Sequence, residues 1–213
     1  MLGIKYKDGV LLASDTLGSY GSMARYMDVT RIHPLTTNTA IAASGEISDF
    51  QYLTDTLDAK VRSSALEGDG FSYTARELWN YLERVLYDRR NKGDPLWNTV
   101  LIAGAGAGPR GEVFLGQLDM YGTAIECDYA ASGFGLYFAV PLMREQWRAG
   151  MERAEAEALL RKCLEVLLYR DARTINKFRM ADVRADGVKI SEPFEIDTAG
   201  KWNSGELAIN DPK

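Results

Sequence analysis

Two carboxylates stand where regular structure ends. Asp15 closes a strand–turn–strand opening, with strands expected over residues 2–6 and 10–14 around Lys7-Asp8-Gly9. Asp171 follows the longest helical stretch, inside Tyr169-Arg170-Asp171-Ala172-Arg173. A carboxylate held at such a place can accept a proton or orient a nucleophile, although Asp171 taken alone reads as one surface carboxylate among many. His33 is the single histidine, and neither a Gly-x-Ser-x-Gly elbow nor a cysteine-protease signature accompanies it, so it reads as a structural residue of a short strand. Cys127 and Cys163 lack CxxC spacing and form neither a disulfide framework nor a zinc site, a usage that suits a reducing compartment. No grouping of His, Cys, Asp and Glu has metal-ligand spacing, and no metal or cofactor is expected. Glu152, Glu155 and Glu157 crowd the start of a helix, where acidic side chains suit the helix dipole. Arg89-Arg90 reads as an exposed helix end. Gly104-Ala105-Gly106-Ala107-Gly108 leads into Pro109-Arg110-Gly111 and a strand, whereas a phosphate-cradling loop must open a helix. It reads as a hairpin loop.

The elements that must position these residues come in blocks. Asp-Gly between apolar runs signals a hairpin, with glycine at a φ > 0 turn position. Residues 17–22 read as a loop, and 29–35 and 40–44 as strands. Phe50, Leu53, Leu57 and Val61 recur at helical spacing within 48–66, and Leu78, Tyr81, Leu82, Val85 and Leu86 mark a second helix capped by Ser72 or Thr74. Strands return at 99–103, 112–118 and 123–129. A helical stretch over 135–147 is interrupted by Pro141. A longer one over 153–170 carries Ala156, Leu159, Leu160, Cys163, Val166 and Leu167 on one face. A last hairpin, 178–183 and 188–190, turns at Asp186-Gly187. Blocks of strands and helices exclude a doubly wound parallel sheet and predict an α+β fold, two antiparallel sheets faced by helix pairs.

The chain has 213 residues, 46% of them hydrophobic and 26% charged, and a net charge of −5. One domain with a sizeable core fits. The acidic balance argues against nucleic acid as the main partner. No apolar run reaches the roughly 18 to 20 residues of a membrane span, and the start of the chain does not read as a signal peptide.

Five strings carry a resemblance over essentially the whole chain: Asp15-Thr16-Leu17-Gly18-Ser19-Tyr20-Gly21-Ser22, Asp49-Phe50-Gln51-Tyr52-Leu53, Pro95-Leu96-Trp97-Asn98-Thr99, Pro141-Leu142-Met143-Arg144-Glu145 and Leu168-Tyr169-Arg170-Asp171-Ala172-Arg173. With the first hairpin, they resemble the β-subunits of the proteasome, members of the N-terminal-nucleophile (Ntn) hydrolase group. The resemblance implies the four-layer αββα sandwich of that group.

In active members a threonine lies two residues ahead of the position of Met1, and its α-amine serves as base. The chain as given therefore resembles the scaffold of a threonine protease without its nucleophile. The resemblance places Asp15 and Asp171 at the two supporting aspartates and Arg31 at a position occupied by lysine. Ser132-Gly133-Phe134 stands in place of a Ser-Gly-Ser turn, and Thr174 in place of a serine. Arginine cannot share a proton as lysine can, and Phe134 replaces a hydroxyl by a ring. The resemblance thus implies a non-catalytic subunit of the 20S core, a vestigial site, and partners among the α and β subunits of stacked seven-membered rings, in cytoplasm and nucleus. Nucleic acid and membrane are not expected partners. Residues 1–192 are expected to form the domain. Residues 193–213 lack periodicity and are expected to dock on neighbouring subunits through Phe194, Ile196, Trp202, Leu207 and Ile209, with Trp202 as anchor. Truncation after Ser191 is then expected to leave the fold intact. Two other readings remain: an active peptidase, if an upstream threonine is exposed, and a stand-alone binding protein on the same fold.

Overall fold

The computed structural model describes residues 1–106 and 111–198. The opening hairpin forms as expected, β1 (Leu2–Tyr6) against β2 (Gly9–Asp15). Its glycine acts differently from the expectation. Gly9 does not have a positive φ; a Cβ there would lie 2.3 Å from the Val183 carbonyl oxygen and 2.7 Å from the Tyr6 hydroxyl. Space, not turn geometry, demands glycine. Residues expected as a loop instead begin a small exposed hairpin, β3 (Gly18–Tyr20) and β4 (Met23–Tyr26). Such short strands, with almost every side chain exposed, leave no alternation to read.

The chain then runs through β5 (Ile32–Thr36), β6 (Thr39–Gly45), α1 (Ile47–Glu67), α2 (Ala75–Asn91), β7 (Asn98–Gly104) and β8 (Phe114–Leu118). Thr74 caps α2, its hydroxyl accepting from the Glu77 N–H while the Glu77 carboxylate accepts from the Thr74 N–H. The strand expected at 123–129 is two strands, β9 (Ala124–Glu126) and β10 (Tyr129–Ala131), in different sheets. Between them the Cys127 N–H donates to Leu115 while the Asp128 carbonyl accepts from Lys5, so adjacent residues bond to opposite sheets. The next helical stretch is broken into α3 (Gly135–Phe138) and α4 (Val140–Gln146), with Pro141 in the first turn of α4, where its missing N–H costs least. Last come α5 (Arg153–Arg170), β11 (Phe178–Arg184) and β12 (Gly187–Ile190).

The strands make two five-stranded antiparallel sheets, ordered β10-β1-β2-β11-β12 and β5-β6-β7-β8-β9. Alternation along each strand supplies three apolar layers. Val10, Leu12, Ala40, Ala42, Leu101, Ala103, Ala181 and Val183 fill the space between the sheets. Leu2, Ile4, Leu11 and Met180 face the other way, onto Leu160, Cys163 and Leu164 of α5. Ile41, Val100 and Ile102 pack on Leu53 and Leu57 of α1 and on Leu78, Leu82 and Leu86 of α2. The result is helix, sheet, sheet, helix: the four-layer sandwich the resemblance implied. On α5, Leu164 is buried and Val166 only half-buried, one step round from the expected face.

Candidate functional site: an open cleft at the sheet ends

Asp15 ends β2 opposite Phe178 of β11, and Asp171 is the first residue past α5. Arg31 lies one residue before β5, and Ser132 one residue after β10. The fold brings all of these to one place. Asp15, Arg31, Ser132, Phe134, Asp171 and Thr174 line a single cleft of about 200 Å³, together with Met1 and Ser44. The Ser132 N–H donates to the Met1 carbonyl at 3.0 Å, which fixes the chain opening beside the cleft.

The charged groups are mostly spent on the scaffold. The Arg31 guanidinium donates to the Leu17 carbonyl and its Nε stands 3.7 Å from Asp15 Oδ1, an ion pair rather than a hydrogen bond. Asp15 Oδ2 receives a long contact, 3.4 Å, from the Leu17 N–H. Arg31 therefore clamps the segment that leaves β2. Asp171 Oδ1 accepts from the Arg173 N–H at 2.9 Å, and the Thr174 N–H donates to the Asp171 carbonyl at 3.2 Å. This carboxylate shapes the turn that ends α5. Two buried polar atoms of the cleft residues, Arg31 Nε and Ser132 Oγ, make no hydrogen bond among the described residues. Phe134 stands half-exposed at the cleft and stacks on Phe138, centroids 6.3 Å apart.

The strings that carried the resemblance are mutual structural ties. Asp49 Oδ2 accepts from the Trp97 N–H at 2.8 Å, and Asn98 Nδ2 donates to the carbonyls of Ser44 and Glu46. Gly45, at φ +102°, lies beneath them; a Cβ there would meet the Trp97 carbonyl oxygen at 2.1 Å. Arg173 reaches the Gly21 carbonyl at 3.3 Å, joining the end of α5 to the β3–β4 hairpin.

Other sequence candidates resolve as structure. His33 Nε2 sits 3.0 and 3.2 Å from the two Asp58 carboxylate oxygens. Burial pushes the Cys127 and Cys163 thiols up to about 11, which disfavours the nucleophilic thiolate. Glu155 is more than a solvated residue, since its carboxylate accepts from the Glu152 N–H at 3.0 Å. No group of three or more potential metal ligands occurs among the described residues. No helix among them is long and apolar enough to cross a membrane. Of the tail residues, Phe194 and Ile196 lie on the body of the domain. Phe194 exchanges two backbone hydrogen bonds with Phe178, and Ile196 is buried, its backbone held at both ends by the Asn176 amide at 2.8 Å. A truncation after Ser191 would open this core, because both side chains pack into the layer beneath α5. Trp202, Leu207 and Ile209 fall outside the described residues.

The sequence reading missed Asp182. This buried carboxylate accepts from Tyr6 Oη at 2.7 Å, from Arg153 Nε at 2.7 Å and from Arg184 at 2.7 and 3.0 Å. Burial alone would raise its pKa; the donors from Arg184, Arg153 and Tyr6 outweigh that and hold it below the usual carboxylate value. Burial and the Asp182 bond push the Tyr6 phenol up. One signal was available: Asp182 holds a core-facing position two residues past Met180, between the apolar residues Ala181 and Val183.

A doubled antiparallel sheet between helix layers, with a polar cleft at the sheet ends, is the architecture of the Ntn-hydrolase class. The family pattern described as "Proteasome subunit" matches residues 1–183. The chain is 42% identical to "Proteasome subunit beta type-4" of Arabidopsis thaliana over 96% of its own length and 82% of the relative's. It is 43% identical to the protein of the same description in Xenopus laevis, over 97% and 84%. It is 32% identical to "Proteasome subunit beta type-7" of Saccharomyces cerevisiae, over 95% and 79%. The chain belongs to the proteasome subunit family.

Proposed function

We propose that this chain is a non-catalytic β subunit of the 20S proteasome core, of the kind described as beta type-4. It occupies one position in a β-ring, beside other β subunits, against the α-ring and facing the second β-ring. The observation that carries the silent role is the state of Arg31. Its guanidinium is engaged with the Leu17 carbonyl and Asp15, and an arginine stays cationic at any working pH. The position that in active relatives tunes a nucleophile here braces a loop. Phe134 supports the reading, because it offers a ring where the family pattern has a hydroxyl.

The work of such a subunit is geometric. The β3–β4 hairpin exposes Tyr20, Met23 and Tyr26, with Arg25 stacked over both tyrosines; apolar surface of this kind marks a contact face. In this reading the residues after Thr198 reach a neighbouring subunit, with Trp202, Leu207 and Ile209 as the anchoring side chains. The six cleft residues are vestigial positions, no cofactor is used, and the particle works in cytoplasm and nucleus. The test is truncation after Thr198, which spares the docked residues Phe194 and Ile196. Native mass spectrometry of particles from the organism's own cells is expected to show half-particles accumulating. Undiminished yields of the double-ring particle would remove the tail from the account.

A further inference from the structure

At the opposite end of β11 from the cleft, α5 and the β11–β12 hairpin enclose a pocket of about 230 Å³. Four cations, Arg153, Arg161, Arg184 and Lys189, face two carboxylates, Asp182 and Glu157. Both carboxylates are already committed. Asp182 takes Tyr6 on one oxygen and Arg153 and Arg184 on the other. Glu157 takes Arg161 on one oxygen, at 2.9 and 3.0 Å, and Arg153 on the other, at 2.9 Å. Lys189 has no acidic partner among the described residues. The pocket thus holds two cations more than anions, in a chain whose net charge is −5.

Its interior is not simply a charged surface. Leu11 and Ile190 supply apolar lining, and Phe194 forms a wall, its ring carrying the Arg161 guanidinium at 4.5 Å from the centroid. Apolar lining with convergent donors suits a group that has a short hydrocarbon stem and an anionic head. Residual positive charge at an apolar-lined site selects a negative partner and fixes its register.

We propose that this pocket receives the carboxylate of an acidic side chain presented by a neighbouring subunit, with Lys189 as the principal counter-charge. This rests on the ring reading above. Because Phe194 is one wall, filling the pocket also braces the bridge between Phe194 and Phe178.

Zero-length cross-linking tests it on intact core particles from the organism's own cells. A carbodiimide condenses an amine with a carboxylate only where the two touch. The expected product is a peptide in which Lys189 is joined to an Asp or Glu of one other subunit. Lys189→Arg is expected to abolish that link while leaving particle yield unchanged, since the charge is kept and the amine is gone. Lys189→Glu is expected to lower the salt concentration at which the chain dissociates from the particle. Particles that contain the chain but show Lys189 unlinked, or linked only within its own chain, would overturn the pocket and spare the ring reading. Absence of the chain from the particle, read by native mass, would overturn both.

Discussion

Asp15 and Asp182 lie on adjacent strands of one sheet and have opposite fates. Asp15 pairs across the ladder with Phe178, and Asp182 with Leu11, a separation of four residues or roughly 13 Å along the strands. Asp182 is 6% exposed and fully committed: three neighbouring side chains donate to it. Asp15 is a quarter exposed, has one distant cation and borders an open cleft that retains two unpartnered buried atoms. A closed network of this kind serves the fold, since removing one member strands the others. An open one keeps polar capacity that the fold does not use. The contrast separates a carboxylate built into the fold from one that borders an open cleft and braces a loop.

Breaking the closed network should have the largest effect. Asp182→Ala leaves the Arg184 guanidinium and a buried phenol without their acceptor and takes one of two carboxylates from Arg153; with both arginines partly exposed, it is expected to cost about 2–3 kcal/mol in denaturant unfolding of the full chain. A cost under about 1 kcal/mol would show that the network is not what holds β11 to α5. Acid should expose the same group. Its folded pKa lies below the usual 3.8, so its stabilisation is complete above that value and is lost as pH falls through the folded pKa. Asp182→Asn should therefore flatten the acid limb of the stability curve, measured by unfolding midpoints from neutral pH downwards. At the open site Asp15→Asn should cost only about 1 kcal/mol, as for a partly exposed pair. The smallest effect belongs to Ser132→Ala, expected within about 0.5 kcal/mol of neutral because the hydroxyl it removes has no partner. A large loss there would mean that the Ser132 hydroxyl has a partner beyond the described residues.

Most of the architecture was legible because the sheets are buried on both faces and the helices are amphipathic. The stripes of Leu53–Leu57 and Leu78–Leu82–Leu86 are core in the structure. The break between β9 and β10 was not legible, because a change of sheet at Cys127 leaves the strand pattern uninterrupted in sequence. The cleft residues were named from resemblance, and no local pattern would have joined Arg31 to Asp171, 140 positions apart. Asp182 was overlooked because its partners Tyr6 and Arg153 come from other elements. Phe194 and Ile196 looked like tail for a related reason: an isolated bridge to Phe178 and one asparagine side chain hold them, with no periodicity to betray it.

The central claim is that this chain sits in the core particle without cutting peptide bonds. Intact particles should be treated with a peptide epoxyketone, which captures a threonine hydroxyl together with its α-amine, and each subunit then weighed by intact mass. The account predicts that this chain is present in the particle and keeps its unmodified mass while catalytic neighbours gain the inhibitor. An inhibitor adduct on this chain would contradict it and would show that Arg31 and Phe134 do not silence the cleft.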